Sequence, residues 1–441
     1  MIRDRDARSR TAAHSLALAC IEAGIDAARP ERVVRDRLAL QDDRLRVAGG
    51  RIDLDAFERV VVLGGGKAAA GVAAALERVL ETRLNGGVVV TDDPTPTERV
   101  TVRDGDHPIP SERAVESARA VREAAVDAEE DTLVLAVLTG GGSALLPAPA
   151  DGLALSDLQR VTESLLSASA PIGAVNAVRK HCSAIKGGQL ARAAAPATVV
   201  TLLFSDVVGD DPAVIASGPT VPDPTTFADA QRVLEEYDVA PPTPVEERLD
   251  RGVAGEVAET PTAGASVFEH VRTFVLANGR TAIDAASGVA SDAGFTPLVL
   301  GAGIEGEARE VAKTHAAVAR ESRETGSPVS PPAVILSGGE TTVTVDGDGR
   351  GGPNCEFALS AARSLPEGAV LASVDTDGQD GTSGVAGALV DVETVDDEAA
   401  ARALADNDAA SHLGERTALL RTGPTGTNVN DLHVLVVTDT E

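Results

Sequence analysis

Small and acidic residues follow an apolar run between Val199 and Phe204. The run is rich in β-branched residues and too short for a helix, which predicts a buried strand that ends at Ser205-Asp206. Ligands of open α/β sheets bind beyond the carboxyl ends of the strands. Asp206 could therefore hold a metal ion or orient a hydroxyl group. An ordinary turn, in which such residues are also common, is the alternative.

Three glycine-rich segments also follow predicted strands. They contain Gly64, Gly65 and Gly66, then Gly140, Gly141 and Gly142, and finally Gly338 and Gly339. Backbone N–H groups in such turns, at the start of a helix, can bind an anion. Tight strand-to-helix turns use glycine for packing as well. Three of them in one chain favour a phosphate or carboxylate ligand.

Lysine is rare in this chain, with four lysines against 35 arginines. Lys67, Lys180 and Lys186 fall in or beside glycine-rich segments, whereas Lys313 lies on a predicted helix. A compact ammonium and a planar guanidinium are not interchangeable in a tight site. The placement indicates cations that face phosphate or carboxylate, with chance placement as the alternative.

An acidic loop begins at Asp375. Its carboxylates, Asp375, Asp377 and Asp380, are spaced like the start of a calcium loop, but Ala386 stands at the twelfth position, where such loops have glutamate. This pattern predicts a loop for a divalent ion, a ribose or a phosphate. A solvated acidic turn is the alternative.

Other residues favour a second enzyme class, a reductase, over an enzyme that acts on phosphate groups. Gly64-x-Gly66-x-x-Ala69 matches a loose dinucleotide fingerprint, and Asp92 or Asp93 stands near the place expected of the ribose-binding acid. These residues support an NAD(P)H-dependent reductase. A lysine within the turn suits a phosphate or carboxylate better. The chain has no Walker A motif. It also has no Gly-x-Ser-x-Gly elbow, so the sequence gives no support for nucleophilic hydrolysis.

These residues lie on alternating strands and helices, the pattern of a doubly wound parallel sheet. Strands are predicted over 57–63, 87–91, 133–138 and 199–204, and one basic helix over 176–195. The alternation resumes after a proline-rich stretch, with strands over 274–277, 297–300, 333–336, 370–374 and 434–438 and a hairpin arm over 341–345. We therefore expect an N-terminal domain of residues 1–245 and a C-terminal domain of residues 246–441.

Composition narrows the function classes further. The net charge is −29, which argues against nucleic acid and anionic membranes as partners. An acidic chain with few lysines is typical of a halophile that accumulates salt. Three widely spaced cysteines, the lack of a signal peptide and the lack of a membrane span favour the cytoplasm.

Nine stretches together resemble the glycerate 2-kinase family of the MOFRL type. In chain order they are GGGKAAAG, DGDHPIP, LTGGGSALLPAP, NAVRKHCSAIKGG, SDVVGDDPAVIASGPT, LSGGETTVTV, GRGGPNCEFAL, DTDGQDGT and GPTGTNVND, between residues 64 and 431. The resemblance implies a Rossmann-like N-terminal domain, a second, smaller α/β domain and an active site in the cleft between them. It also implies ATP-dependent phosphorylation of D-glycerate, at the 2-hydroxyl group, with Mg²⁺. Some relatives carry the label hydroxypyruvate reductase, which matches the alternative of a reductase. A third hypothesis is a sensor that binds glycerate without catalysis.

The resemblance also assigns roles to residues. Lys67 and Asp206 match catalytic positions, and Arg350 is the third predicted catalytic residue. Substrate or phosphate contacts are implied for Gly65, Gly66, Gly140, Gly141, Gly142, Ser143, Arg179 and Lys186, nucleotide contacts for Gly338, Gly339, Glu340, Asn354 and Asn428, and metal contacts for Asp375, Asp377 and Asp380. The family usually has arginine where this chain has Pro353, and Arg350 is the candidate replacement. The small-molecule partner would be D-glycerate, and a homodimer is compatible with the resemblance.

Overall fold

The computed structural model describes residues 1–439. The chain forms two compact units. The first, which we call the central unit, comprises residues 33–276, and the second, the terminal unit, comprises residues 1–32 together with the chain from 277 onward. The expected boundary at 245/246 therefore differs from the observed division, and the N-terminal segment belongs with the C-terminal half.

The chain begins with two helices of the terminal unit, α1 (Arg5–Arg8) and α2 (Ala12–Ala27). The next elements, up to the end of the central unit, are α3 (Pro30–Arg37), β1 (Leu38–Gln41), β2 (Arg44–Val47), β3 (Gly50–Asp53), β4 (Arg59–Gly65), α4 (Ala69–Leu80), β5 (Gly86–Thr91), β6 (Val100–Asp104), α5 (Glu112–Val126), β7 (Thr132–Thr139), α6 (Gly142–Leu145), α7 (Leu155–Ser167), α8 (Ile172–His181), α9 (Gln189–Ala194), β8 (Thr198–Phe204), α10 (Phe227–Glu236), α11 (Thr243–Val253) and β9 (Val271–Ala277).

The remaining elements return to the terminal unit. They are α12 (Gly279–Asp292), β10 (Thr296–Glu307), α13 (Ala308–Thr325), β11 (Ala333–Thr342), α14 (Pro353–Ala362), β12 (Ala369–Asp375), β13 (Gly387–Asp391), α15 (Asp397–Ala405), α16 (Ala409–Glu415), β14 (Leu419–Leu420) and β15 (Asp431–Val437). None of the helices within residues 1–439 has the length and apolar character needed to cross a membrane.

The central sheet has the strand order β6-β5-β4-β7-β8-β9, and the ladders that join β6 through β8 are parallel. Every residue of β7 is buried, because helices cover both faces of a parallel sheet. The prediction of a doubly wound α/β domain is confirmed. A small antiparallel sheet, β1-β2-β3, precedes it and was not predicted.

A second core in the central unit explains where the domain ends. Helices α7, α8, α10 and α11 bury a common apolar cluster that includes Leu158, Val178, Phe227, Val245 and Leu249. Val245 and Leu249 lie on α11, so the chain beyond 245 is still part of this core. The proline-rich stretch before α11 is a turn into that helix rather than a linker.

The predicted helix over 176–195 is interrupted. Gly187 (φ +58°) and Gly188 (φ +78°) adopt left-handed conformations that end α8 and precede α9. Between the two helices, the Ser183 hydroxyl accepts hydrogen bonds from the backbone N–H groups of Ile185 (3.2 Å) and Lys186 (3.1 Å). The break therefore fixes the backbone of Lys186 instead of placing it on a helix surface.

The terminal unit contains a mixed sheet of order β10-β11-β15-β12-β13-β14. Only the β10–β11 ladder is parallel; the others are antiparallel. The prediction of a second, smaller α/β domain is confirmed. The predicted hairpin arm at 341–345 is wrong, because β11 continues through Gly338 and Gly339 to Thr342 and pairs with both β10 and β15.

Candidate active site

The order of the central sheet reverses between β4 and β7. Connections from β4 lead outward through β5 to β6, and those from β7 lead to β8 on the other side. The carboxyl ends of β4 and β7 are thus the switch point at which doubly wound sheets bind ligands. Two of the predicted glycine-rich turns, at residues 64–66 and 140–142, lie there.

Lys67 is fixed through its backbone at this point. Its N–H donates to the carbonyl of Gly140 (2.8 Å), and its own carbonyl accepts from the Thr91 hydroxyl (3.0 Å). The next N–H, of Ala68, donates to the Thr139 hydroxyl (3.1 Å). The turn is therefore joined to both neighbouring strands, β5 and β7, and the lysine side chain starts from a constrained position.

Three polar side chains surround the turn after β7. A Cβ atom built on Gly141 would lie 3.0 Å from Cδ2 of His107 and 3.1 Å from Cγ of Lys67. A Cβ atom on Gly140 would overlap the carboxylate of Asp206. Glycine is required at 140 and 141 because Lys67, His107 and Asp206 approach the backbone itself. The structure thus places two of the three predicted catalytic residues, Lys67 and Asp206, against the same turn.

The Lys186 side chain contacts Ser143, which lies at the start of α6. Its ammonium donates to the carbonyl oxygens of Ser143 (2.9 Å) and Leu146 (3.2 Å), and only 2% of the residue is exposed. Burial, and then repulsion from Arg179, lowers the pKa of Lys186 to about 7. Within residues 1–439 no carboxylate neutralises it, so an incoming anion would be its counter-charge.

Arg179 reaches the same place through a chain of hydrogen bonds. Its guanidinium donates to Oδ1 of Asn176 (3.3 Å), which also accepts from the Ser217 hydroxyl (3.2 Å). Ser217 and Ser143 share a hydroxyl–hydroxyl bond of 2.8 Å. Burial lowers the pKa of Arg179. The predicted contacts Ser143, Arg179 and Lys186 therefore form one connected polar wall.

A strained segment supports this wall. Ala216 (φ +51°), Ser217 (φ +62°) and Gly218 (φ +65°) are consecutive left-handed residues, and the first two carry side chains. Such backbone is retained where the surrounding structure enforces it, often at functional sites. A Cβ on Gly142 would lie 2.8 Å from Cβ of Ala216, so the segment packs directly beneath α6. The sequence alone did not predict a role for Asn176 or Ser217.

A cavity of about 520 Å³ opens beside these residues. Its polar wall includes His107, Gly141, Ser143, Arg179 and Lys186. The rest comes from the loop 108–110 and from one face of α7, which the prediction did not include. The residues of α7 that line the cavity recur at helical spacing in the sequence, which is the pattern that could have indicated this face. They are Leu155, Leu158, Gln159, Thr162, Glu163 and Leu166.

The predicted nucleotide-binding glycines are placed differently. Gly338 and Gly339 lie inside β11 and not in a strand-to-helix turn. Gly339 has φ +150°, and a Cβ there would overlap the Ile304 carbonyl. These glycines allow close strand pairing, and their backbone belongs to the ladder. Glu340 lies near the end of β11, where burial of its carboxyl group, and then repulsion from Glu305, raises its pKa.

Asn354 is buried in a hydrogen-bond network of the terminal unit. Its side chain donates to Asp431 (2.6 Å) and accepts from the Ser373 hydroxyl (2.7 Å). The second predicted nucleotide-binding asparagine, Asn428, is half-buried and accepts from the backbone N–H of Asn430 (3.0 Å). Asn354 thus stabilises the core between α14 and the sheet.

The predicted metal ligands do not form one ligand group. Asp380 is buried and accepts from the N–H groups of Asn354 and Cys355 (2.8 Å each), so it caps α14. Asp375 accepts from the N–H of Asp377 (2.9 Å), and burial with repulsion from Asp377 and Asp431 raises its pKa. No group of three or more His, Cys, Asp or Glu side chains in residues 1–439 is arranged to hold a metal ion.

Arg350 lies in the terminal unit, near the start of α14. Its guanidinium donates to the carbonyl of Ser383, and its N–H donates to Asp408 (2.9 Å). The residue is exposed. Pro353, which stands where the family usually has arginine, is the first residue of α14, a position that suits its fixed φ and missing N–H.

Two family models match the chain. Residues 16–250 match a domain of unknown function (DUF4147), and residues 333–431 match the MOFRL family. A protein from Agrobacterium vitis named "Putative hydroxypyruvate reductase" is 42% identical over 393 residues, covering 86% of this chain and 87% of its own.

Two further proteins are similar over nearly the whole chain. The glycerate 2-kinase of Pyrococcus horikoshii is 38% identical, covering 96% of this chain and 97% of its own, and the D-glycerate 2-kinase of Thermotoga maritima is 37% identical, covering 95% and 97%. The crystal structure of glycerate kinase from Thermotoga maritima matches with a TM-score of 0.84 at 35% identity, covering 96% of this chain and 99% of that one. The chain therefore belongs to the glycerate 2-kinase family, with a DUF4147 region followed by a MOFRL region.

Proposed function

We propose that this protein is an ATP-dependent kinase that phosphorylates D-glycerate at the 2-hydroxyl group to give 2-phosphoglycerate. The family membership supports glycerate and the kinase reaction. The observation that carries the proposal is the convergence of Lys67 and Asp206 on the turn Gly140-Gly141, at the switch point of the central sheet. Phosphoryl transfer depends mainly on positioning and charge neutralisation, which a cation and a carboxylate on one rigid turn can supply.

In this proposal Lys67 neutralises charge on the transferring phosphoryl group. Asp206, half-buried directly after β8, orients the glycerate hydroxyl and accepts its proton as the new P–O bond forms. The backbone bonds of Lys67 to Gly140 and Thr91 hold the lysine in place before the reaction, so little reorganisation is needed.

Arg179 and Lys186 bind anionic oxygens of a substrate. Lys186 is buried and Arg179 is half-buried, and neither has a carboxylate partner in the described chain. The Lys186 ammonium donates to the carbonyl of Ser143. A carboxylate or phosphate that reaches this wall restores the charge balance and raises the pKa of Lys186 from about 7. Arg350 remains our candidate for the arginine that the family has at the position of Pro353.

Mg²⁺ stays an expectation from the family. Asp380 is committed to capping α14, so the three predicted carboxylates do not fit a metal site as a set. Asp375 and Asp377 remain the candidates, and none of the roles above depends on the ion. The nucleotide contacts predicted for Gly338, Gly339, Glu340, Asn354 and Asn428 stay predictions. In this structure the two glycines pair within β11, and Asn354 is hydrogen-bonded within the terminal unit.

The composition supports a cytoplasmic enzyme from a halophilic archaeon. A net charge of −29 with only four lysines suits molar salt, in which the Debye length is about 3 Å and self-repulsion is screened. A homodimer stays a prediction.

One assay tests the function. ATP, D-glycerate and Mg²⁺ are supplied in molar KCl, and enolase is the coupling enzyme without phosphoglycerate mutase. Signal without mutase supports 2-phosphorylation, and a strict need for mutase would assign the 3-hydroxyl group. Oxidation of NAD(P)H with hydroxypyruvate, without ATP consumption, would establish the reductase that the Agrobacterium vitis name suggests. Full activity without added salt would refute the halophilic origin.

A further inference from the structure

The wall of the cavity in the central unit has two chemically different parts. One part contains the basic side chains of Lys186 and Arg179. The other contains aliphatic side chains of α7 and of the loop 108–110. Its volume of about 520 Å³ is in the usual range for sites that bury a drug-sized ligand and far exceeds what a three-carbon acid needs.

Two large apolar side chains are exposed at this cavity. Ile109 is 71% exposed and Leu166 is 54% exposed, and both line it. Exposed apolar residues that share one concave site indicate an apolar ligand surface. From Leu158 to Leu166 the helix rises about 12 Å, so the apolar wall suits an extended ligand.

The charges define the orientation of such a ligand. Its anionic end belongs at Lys186 and Arg179, which have no carboxylate partner in the described chain. Glu163, exposed on the cavity face of α7, would repel phosphate but can accept hydrogen bonds from sugar hydroxyls. Gln159 donates to the carbonyl of Pro110 (2.7 Å), which fastens the loop of Ile109 to the helix.

We propose that this cavity binds the nucleotide of the kinase reaction, with the adenine base between Ile109 and Leu166, the ribose hydroxyls at Glu163 and the phosphates toward Lys186 and Arg179. The proposal rests on the proposed function, in that ATP is the phosphoryl donor. It places the nucleotide in the central unit instead of at the predicted residues Gly338 and Gly339, whose backbone belongs to the β11 ladder.

The test introduces a carboxylate beside the base. Leu166→Glu and Ile109→Glu alter exposed side chains, so both variants should fold, and circular dichroism checks this. Ile172→Glu is the matched control, because Ile172 is also 54% exposed but does not line the cavity. Affinity for ATP and for ADP is measured by calorimetry without glycerate, and KM for both substrates is measured by the coupled assay.

Each cavity variant should weaken ATP and ADP binding about tenfold or more, through lost apolar contact and unfavourable charge, while KM for glycerate changes less than twofold. The control should match the wild type. Unchanged nucleotide affinity in both folded cavity variants, or a rise in the glycerate KM alone, would overturn the assignment.

The ribose contact has its own measurement. Glu163→Gln should reduce the preference for ATP over 2′,3′-dideoxy-ATP, and an unchanged preference would remove Glu163 from the site.

Failure of the proposed function can be distinguished from failure of the proposed site. Wild-type protein that binds ATP but never phosphorylates glycerate would refute the function and leave the nucleotide site standing. A wild type that turns over normally, with cavity variants that match it, would refute the site alone.

Discussion

The carboxylate of Asp206 lies directly against the Cα atom of Gly140, in the space that any side chain at position 140 would occupy. This relationship joins the ends of β7 and β8 and places a carboxylate beside the lysine turn. It makes the glycine as necessary to the site as the aspartate itself.

Gly140→Ala should therefore damage catalysis without touching a functional group. The added methyl group displaces Asp206 from its position, and misplacement of about 1 Å can reduce rate on the order of 10²-fold. The measurement is kcat in the coupled assay, with the thermal midpoint as the control for folding. A folded variant with wild-type kcat would show that the placement of Asp206 does not matter to the reaction.

Lys67→Ala should reduce kcat by about 10²–10³, or about 3–4 kcal/mol, as expected when a preorganised charge that stabilises the transition state is lost. Lys67→Arg should restore little, because a planar guanidinium does not replace a point charge in this turn. Stability should change little, since the turn is fixed through backbone bonds to Gly140 and Thr91 that both variants retain. Near-normal turnover in folded Lys67→Ala would transfer the role to Arg179 or Lys186.

Anion binding should take up a proton above neutral pH. The pKa of Lys186 is about 7 in the free protein, so at pH 8 the amine is mostly neutral, and an arriving anion favours its protonated form. Calorimetry of ATP binding at pH 8, in two buffers of different ionisation enthalpy, gives the number of protons taken up. Lys186→Met should abolish the uptake. Equal apparent enthalpies in the two buffers for the wild type would contradict the assignment.

The acidic loop contains a buried carboxylate, Asp380, and a half-buried one, Asp377. Asp380→Ala leaves two backbone N–H groups of α14 without their acceptor and should cost about 1–2 kcal/mol, as the loss of a helix cap does. Asp377→Ala should leave stability nearly unchanged and raise the Mg²⁺ or ATP requirement. Denaturant unfolding and Mg²⁺ titration of activity measure the two effects. A reversed pattern would return Asp380 to the ligand set.

Two buried histidines should make the terminal unit sensitive to acid. His433 stacks on Phe357 with ring centroids 4.0 Å apart, and its Nε2 atom is buried without a hydrogen-bond partner. Burial lowers the pKa of His433 and of His315. The unfolded chain therefore binds more protons below about pH 6.5, and the free energy of unfolding falls there by up to about 1.4 kcal/mol per pH unit for each histidine.

The urea midpoint measured between pH 7.5 and 5 tests this dependence. His433→Phe keeps an aromatic ring on Phe357 and should flatten the slope. An unaltered slope in this variant would place the acid sensitivity elsewhere.

Much of the central unit was predictable because its signals are local. Short apolar runs such as Val199–Phe204 encode buried strands, and glycine pairs mark the ends of β4 and β7. The terminal sheet was harder, because the pairing of β11 with β10 and β15 is non-local. Gly338 and Gly339 look like a turn in sequence, yet they serve a close approach of strands that only the fold reveals.

The candidate site, too, could be predicted only where its residues are recognisable without knowledge of non-local contacts. Lys67, Asp206 and Lys186 could be predicted as site residues from residue type, because a rare lysine or an acid after a strand is visible in the sequence alone. The cavity face of α7 was missed, since its residues look like an amphipathic surface until the loop of Ile109 packs across from them. The capping role of Asp380 was not predicted, because a carboxylate that caps a distant helix has the same sequence pattern as one that binds a metal.

The pairing of α2 with the C-terminal half has a consequence for biosynthesis. The Cys20 thiol contacts the Ala286 carbonyl (3.5 Å), the Thr427 hydroxyl donates to the Ala28 carbonyl (2.6 Å), and Gly24 packs against Leu432. All residues of the central unit are synthesised before those of α12 and β15. The central unit can thus fold during translation while α2, made first, waits with its apolar face uncovered until the last strand is complete. A chain that terminates before β15 would keep the glycine-rich turns of the central unit and leave the apolar face of α2 uncovered.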